Sequence, residues 1–316
     1  MIRFVALAKR IAMNRSLLLV SLACSAQVAA QGPVFHWPLD ESSGTVAHAW
    51  GGSDGVLAGG TLWAPNGGYH QGCARFDGVD DRILLGPCDI TTGTGGITLS
   101  LWAKADFVTG MDRTLIAKAT GPNAADHSWS IAFVSGTGLR FRLRTAGNVQ
   151  TITTPPSSLF GGQWYHIAGV YDGSEMRLYL NCSVMGTAPA SGLIGTSPQA
   201  PASLGALSTG LQPFSGWIDD VRIYDRALSD AEIIDVLLET MTTGIAEVAH
   251  PLLSDDMVRV PSGSHRLTVR DALGRLLYEN TLRGPATIPL PTAGAGMRLV
   301  CLEGDGGGHV ARVVSP

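Results

Sequence analysis

Two adjacent carboxylates, Asp219 and Asp220, stand in the middle of the segment GWIDDVRIYDRALSDAEI, which begins like a strand and ends like a helix. Retaining glycoside hydrolysis needs two carboxyl groups about 5 Å apart on one face of a cleft. Neighbouring residues of a strand point to opposite faces of the sheet, so this spacing does not predict an acid/base pair. The alternatives are a metal ligand, or a structural role in which Asp219 accepts backbone N–H groups at a bulge and Asp220 pairs with Arg222 or solvent.

Two further catalytic motifs, the H-E-x-x-H zinc helix and the P-loop, do not occur in the sequence. The eight histidines are scattered along the chain, and a single histidine such as His166, in WYHIAGV, is typical of a packed strand. We therefore predict no catalytic residue and a protein that is not an enzyme.

The composition indicates a β-rich protein with many turns. Charged residues make up 15% of the 316 residues, the formal net charge is -4, and there are 40 glycines and 17 prolines. A coiled coil or a disordered acidic tail would be far more charged. No cluster of lysine and arginine is dense enough to follow a phosphate backbone, which excludes nucleic acid as the expected partner.

The N-terminus has the pattern of a signal peptide over residues 1–30. Basic residues precede the apolar run SLLLVSLACSA, and Val28 and Ala30 form the small-residue pattern of a cleavage site after Ala30. The apolar run is too short for a permanent transmembrane helix, so we expect none in the mature chain. Translation could also begin at Met13. We expect the protein to be exported.

The remaining chain divides into two β-rich parts, over residues 32–241 and 244–316. In the first part, short segments with apolar residues at alternate positions are separated by turn residues, which predicts an antiparallel two-sheet jelly-roll sandwich. One helix is predicted from about Ser229 to Met241, because Ser229 and Glu232 form a capping box, and we expect it to pack at the edge of the sandwich. The second part is long enough for a small β-sandwich domain.

Residues 34 to about 240 resemble the laminin G-like domains of the concanavalin A-like jelly-roll fold. The segments that carry the resemblance are HWPLDESSGTVAHAWGGSDGVL, ARFDGVDDRILLG, ITLSLWAKAD, LIAK, QWYHIAGVYDGSEMRLYLN and FSGWIDDVRIYDRALSDAEI. That fold includes glucanases with an E-x-D-x-x-E strand, which this sequence lacks. The resemblance implies a structural Ca²⁺ where the first and last strands meet, with Asp40 and Asp219 as the carboxylate ligands.

Aromatic residues outside the strand pattern are the candidates for binding a sugar, because a sugar ring stacks on an exposed aromatic face. They lie in glycine-rich or polar stretches and are Trp50, Trp63, Tyr69 and Trp129.

Four cysteines follow the signal segment, namely Cys73, Cys88, Cys182 and Cys301. An oxidising compartment permits disulfides, but spacing does not determine the pairing. Cys73 and Cys88 flank a segment with the pattern of a hairpin, so they can pair, or all four can be single buried thiols.

Residues 244–316 resemble the C-terminal sorting domain of the type IX secretion system. The resemblance rests on HRLTVRDALGRLLYE, IPLPTAGAG and the final strand HVARVV, and it implies the type IX machinery as a partner.

We expect a binding or adhesion protein, secreted or on the outer surface of a bacterium, whose ligand is a glycan or another cell-surface molecule. The alternatives are a secreted glycoside hydrolase of the same fold and a structural surface-coat protein.

Overall fold

A computed structural model describes the strands, the helices and many of the loops between them. The described ranges are 32–90, 95–107, 112–135, 138–155, 159–195, 197–242, 253–254, 257–271, 276–289, 296–304 and 307–315. The predicted signal peptide lies outside them. Within these ranges no helix is both long and apolar enough to cross a membrane.

Strands dominate the structure. In chain order they are β1 (Phe35–Trp37), β2 (Val46–Ala47), β3 (Gly55–Ala58), β4 (Leu62–Trp63), β5 (Ala74–Asp77), β6 (Arg82–Gly86), β7 (Ile97–Ala105), β8 (Arg113–Ala119), β9 (His127–Val134), β10 (Gly138–Thr145), β11 (Asn148–Thr153), β12 (Trp164–Tyr171), β13 (Glu175–Leu180), β14 (Ser183–Pro189), β15 (Ala202–Leu204), β16 (Ser215–Tyr224), β17 (Leu253–Ser254), β18 (Met257–Asp271), β19 (Leu276–Pro289), β20 (Gly296–Gly304) and β21 (Gly307–Ser315). The helices are a 3₁₀ turn (Ala124–Asp126) and α1 (Asp230–Thr242).

Two eight-stranded antiparallel sheets form the predicted sandwich. Sheet A has the order β14-β13-β12-β7-β16-β5-β4, with β1 also paired to β16, and sheet B has the order β11-β10-β9-β8-β15-β6-β3-β2. Alternate apolar residues of each strand point between the sheets, as Leu139, Phe141 and Leu143 of β10 do. The all-β fold class expected from the sequence is confirmed.

The helix α1 begins directly after the predicted cap. The backbone N–H of Ser229 donates to Glu232 Oε2 at 2.9 Å, and the backbone N–H of Glu232 donates to Ser229 Oγ at 3.3 Å. The helix places Ile233 and Leu237 against residues of sheet A such as Trp102. It therefore covers part of the outer face of sheet A, whereas the sequence had suggested the edge of the sandwich.

The C-terminal strands form a third, five-stranded antiparallel sheet with the order β17-β18-β20-β21, and β19 pairs with β18. The described residues of this part belong to one hydrogen-bonded sheet, not to the two facing sheets of the predicted small sandwich. The strands β18 and β19 are 15 and 14 residues long and stay paired on both sides of a bulge at Val260/Gly263, so neither breaks to start a second sheet.

Candidate functional site

A break in the pairing of β16 creates the candidate site. Ser215–Ile218 pair with β5, whereas Val221–Ile223 pair with β1 along the same edge. Asp219 and Asp220 fall between these two partners, and the register against β7 also shifts there. Asp220 has a φ of 46°, a left-handed conformation that Asp tolerates better than most residues. The chain therefore forms a β-bulge at the two carboxylates.

The bulge corrects the expectation that the two carboxylates point to opposite faces. Asp219 and Asp220 both line one cavity of about 380 Å³, because the extra residue of the bulge breaks the alternation on which that expectation rested. The cavity is also lined by residues from β1 and the segment just before it, from the loops that follow β1, β2 and β4, and from the end of β16. These are Pro33, His36, Pro38, Asp40, Trp50, His70, Gln71 and Arg222.

Asp220 is held as a buried anion. Its Oδ1 lies 2.6 Å from His36 Nε2 and accepts a hydrogen bond from Arg222 Nε at 3.1 Å. Burial opposes ionisation, but the hydrogen bond from His36 and the charge of Arg222 outweigh it and lower the pKa of Asp220. His36 and Arg222 lie directly opposite each other in the β1–β16 ladder, so the sheet itself positions both partners.

The pKa of Asp219 shifts in the opposite direction to that of Asp220. It is 1% exposed, its Oδ2 accepts the backbone N–H of His70 at 3.0 Å, and its buried Oδ1 has no hydrogen-bond partner among the described residues. Burial, followed by the charges of Asp220 and Asp40, raises the pKa of Asp219 to about 8. This carboxyl group therefore has one uncompensated oxygen next to two other carboxylates.

A loop over residues 64–73 brings backbone groups to these carboxylates. Reciprocal hydrogen bonds between Ala64 and Cys73 close its base, and the N–H of Gly72 donates to Asp40 Oδ1 at 2.9 Å. A Cβ on Gly68 would lie 2.8 Å from Asp219 Oδ2, and one on Gly72 would lie 2.9 Å from the Cα of Asp40. Only glycine allows the loop to approach this closely.

The residues present fit a calcium ion. The predicted ligands Asp40 and Asp219 line the same cavity, and burial, together with the charge of Asp220, raises the pKa of Asp40 as well. Hard carboxylate oxygens are the ligands Ca²⁺ prefers, and Asp219 Oδ1 is an orphaned oxygen of this kind. A cation would offset the repulsion among these carboxylates.

A second group of carboxylates, from Asp77, Asp80 and Asp81, converges at the turn after β5. Hydrogen bonds within the turn account for its arrangement. Asp81 Oδ2 accepts the N–H of Asp77, and Asp77 Oδ1 accepts the N–H of Val79, both at 2.8 Å. The segment FDGVDD is therefore a hydrogen-bonded turn between β5 and β6.

The four predicted aromatic ligands have different surroundings. Trp50 is 70% exposed at the cavity, with its ring edge-on to His36 at 5.2 Å. Trp63 is half-buried and donates from Nε1 to the carbonyl of Gly44 at 2.9 Å. Tyr69 stacks on Trp102 with ring centroids 3.5 Å apart. Of the four, only Trp50 lines the cavity.

The prediction that Trp129 stacks on a sugar ring is wrong. Its side chain is 2% exposed and belongs to the sandwich core, together with Ile131 and Phe133 of the same strand. The strand β9 begins at His127, directly after the 3₁₀ turn, so Trp129 falls on an inward-facing position of that strand. A buried indole has no free face on which a sugar could stack.

The possible Cys73–Cys88 disulfide is also absent, since both residues are free buried thiols. The segment between them is not a hairpin within one sheet. Its first strand, β5, belongs to sheet A and its second, β6, belongs to sheet B, and facing sheets lie about 10 Å apart. Cys182 is disulfide-bonded.

The loop that leads into β3 contains a serine motif. Residues 51–55, GGSDG, have the G-x-S-x-G spacing of a nucleophile elbow, which requires a turn between a strand and a helix. Here the segment leads from a loop into strand β3. The spacing therefore lacks the structural context of that motif.

The family model of the concanavalin A-like lectin/glucanases superfamily matches residues 77–234, half of the chain. The chain belongs to this superfamily. The superfamily match covers the strands from the end of β5 through β16 and the start of α1, and therefore includes the bulge at Asp219 and Asp220.

Two solved structures with TM-scores above 0.5 show the same fold at low sequence identity. The binding domain of botulinum neurotoxin serotype G is 13% identical, with a TM-score of 0.53, and the match covers 85% of this chain and 67% of that one. The binding domain of Paraclostridial Mosquitocidal Protein 1 is 15% identical, with a TM-score of 0.52 and coverage of 85% and 70%. Domain 4 of a GH43 extracellular arabinanase from Geobacillus stearothermophilus, in complex with arabinotriose, is 21% identical, with a TM-score of 0.48 and coverage of 65% and 98%. No curated protein sequence matches the chain.

Sequence reasoning missed several residues of the cavity. His36, His70, Gln71 and Arg222 line it, yet only Arg222 was considered, as a partner of Asp220. His36 could have been found from the alternation of β1, since it lies two residues before Pro38 and four before Asp40 in HWPLD. No pattern in the sequence indicates that the loop 64–73 meets β16.

Proposed function

We propose that this protein is a non-catalytic binding module that holds a glycan in the cavity beside β16. The observation that carries the proposal is the combination of an exposed indole, Trp50, with a buried polar network in one cavity of about 380 Å³. Trp50 offers a face for stacking on a sugar ring, and groups such as His70 and Gln71 can exchange hydrogen bonds with hydroxyls. The superfamily to which the chain belongs supports the same class of ligand.

Calcium is the proposed cofactor of this cavity. Asp40 and Asp219 would hold the ion, and the ion would supply positive charge to a cavity in which three carboxylates meet. The chain's own residues supply the rest. His36 and Arg222 fix Asp220, and the backbone of the loop 64–73 fixes Asp40 and Asp219.

Replacing Trp50 tests the binding proposal. On a glycan array, the purified chain should bind a specific saccharide, and Trp50→Ala should weaken the affinity for it about tenfold or more, because the stacking surface is removed. Phe160→Ala is a matched control, since Phe160 is also an exposed aromatic residue, at 47%, and does not line the cavity. Equal affinity of Trp50→Ala and wild type would exclude this cavity as the glycan site.

A glycoside hydrolase is the second candidate, favoured by one observation. Asp219 and Asp220 line the same cavity while their pKa values shift in opposite directions, a pattern found in acid/base pairs. Against it, His36 and Arg222 already engage Asp220. Release of reducing sugar from an array hit would favour the enzyme, and binding without release the lectin-like module. Neither binding nor release would favour a structural coat protein.

We also propose export of the protein and type IX sorting by its C-terminal part, on the sequence features described above. Deleting residues 244–316 should leave the jelly roll folded but prevent it from reaching the bacterial surface. Mass spectrometry of the mature surface protein should find a chain that ends near residues 240–247. A surface-exposed chain ending at Pro316, or surface display of the deletion variant, would contradict sorting by this segment.

A further inference from the structure

Three arginines follow one another on the outward positions of β10. Arg140, Arg142 and Arg144 alternate with the buried core residues of that strand, so their side chains share the outer face of sheet B. This face belongs to the sheet opposite the one that carries the cavity of β16. Nothing in the proposed function uses it.

The first two arginines have donors without acceptors. Arg140 pairs through Nη1 with Asp112 at 2.6 Å, but its Nε and Nη2 are buried and have no partner among the described residues. Arg142 makes no salt bridge to a described residue, and its Nε and Nη1 are also buried and unpartnered. Arg140 is 9% exposed. A buried guanidinium without acceptors is costly, because it has lost the water that would otherwise accept its N–H groups.

Arg144, on the same strand, has hydrogen-bond acceptors for its guanidinium donors. Its Nε donates to the carbonyl of His127 at 3.3 Å, and its Nη2 donates to the carbonyl of Ala125. Carbonyls of β9 and of the 3₁₀ turn therefore satisfy Arg144, whereas Arg140 and Arg142 each keep two buried donors with no acceptor among the described residues. Burial is the main cause that lowers the pKa of His127 to about 4, and the charges of Arg142 and Arg140 lower it further. The positive field of the arginines therefore extends beyond β10.

The neighbours of Arg142 fit an oxyanion. Ser130 of β9 and Thr151 of β11 are its direct partners in the two ladders, so their side chains stand on either side of it on the same face. Ser130 is buried whereas Thr151 is exposed, which leaves the β11 side open to a ligand. The Nε and Nη2 groups of Arg140 share one edge of the planar guanidinium, the edge that holds carboxylate or sulfate groups bidentately.

We propose that the outer face of sheet B carries a second binding site, in which Arg140 and Arg142 hold an oxyanion group of the ligand, a carboxylate or a sulfate ester. The inference that a glycan carries this group rests on the proposed function. The anion site itself does not, because it lies on the other sheet.

Binding calorimetry on the full chain tests the site with three probes at matched ionic strength. The probes are inorganic sulfate, an oligosaccharide with uronate groups and its neutral counterpart. Wild type should bind sulfate and should bind the acidic oligosaccharide at least tenfold more tightly than the neutral one. Arg142→Gln should lose this preference and the sulfate binding, since it removes two charged donors.

Control variants separate the site from a structural role. Arg177→Gln should bind both probes like wild type, because Arg177 lies on sheet A and has Asp172 at 3.5 Å. Arg142→Gln should melt no lower than wild type, since it removes a half-buried guanidinium whose Nε and Nη1 have no acceptor among the described residues. If it nevertheless fails to fold, Arg142→Lys keeps the charge without the planar fork and should bind sulfate more weakly than wild type.

Each outcome of the binding measurements supports or contradicts the anion site. Unchanged sulfate and acidic-glycan binding in the Arg142 variants would overturn the site. Sulfate binding that depends on Arg142, with no preference for the acidic oligosaccharide, would support the site and assign it to a free inorganic anion. Trp50→Ala should leave sulfate binding unchanged, so a failure of the cavity as a glycan site is distinguishable from a failure of this one.

Discussion

Calcium is expected to raise the melting temperature of the chelator-treated protein, and to raise it more at pH 8 than at pH 5. A ligand that binds only the folded state at a hundredfold excess over its Kd stabilises it by about 2.7 kcal/mol, which corresponds to a shift of about 5 to 10 °C for a domain of this size. The orphaned Oδ1 of Asp219 and the neighbouring Asp40 motivate the expectation.

The pH dependence follows from the pKa of Asp219. In the metal-free folded protein it is raised to about 8 from an ordinary value of 3.8. A raised pKa contributes stability that is fully present below the unfolded value and is lost as the pH rises through the folded value. The chelated protein should therefore lose this contribution between about pH 4 and pH 8. Calcium must displace the proton from Asp219, so its effect grows over the same range.

Asp219→Asn is the decisive variant. It removes the ligand charge but keeps the shape of the side chain, so the calcium-induced shift should disappear. Without calcium it should also be more stable than wild type at pH 8, because no buried carboxylate has to ionise. Asp80→Ala removes an exposed carboxylate from the turn after β5 and should keep the full shift. A calcium shift that persists in Asp219→Asn would show that the ion binds elsewhere.

Asp220→Ala should destabilise the protein by about 3–5 kcal/mol, the usual cost of breaking a buried ion pair by removing one partner. The substitution takes away the carboxylate that both His36 and Arg222 contact. It also places alanine at a φ of 46°, a conformation that alanine adopts only with strain. Both effects act in the same direction.

Denaturant titration measures this loss of stability, with two comparison variants. Asp220→Asn retains an oxygen acceptor and tolerates the left-handed backbone, so it should fall between wild type and Asp220→Ala. Asp80→Ala should change the free energy of unfolding by no more than about 0.5 kcal/mol, as exposed substitutions usually do. The buried network is not a principal source of stability if Asp220→Ala unfolds within about 1 kcal/mol of wild type.

The sequence by itself determined the strands, the helix and the sandwich. Alternation such as that of Leu139, Phe141 and Leu143 depends only on the two-residue period of a strand and on which side chains avoid water. The capping box of Ser229 and Glu232 is equally local, because its hydrogen bonds join residues three apart. Such short-range patterns are legible without the tertiary structure. Asp40 and Asp219 were found together only through the resemblance to a known family.

The tertiary structure alone decided the chemistry of the site. Asp219 and Asp220 share a cavity because β16 changes partner from β5 to β1 at that point, and these strands come from residues 74–77 and 35–37. Cys73 and Cys88 stay apart because β5 and β6 enter different sheets. Trp129 is buried because it lies in β9, which starts at His127, and shares the inward-facing side of that strand with Ile131 and Phe133. The unpartnered donors of Arg140 and Arg142 likewise depend on which groups the neighbouring strands bring to them. Long-range pairing determines which neighbours a residue meets, and the period of a single strand carries no information about it.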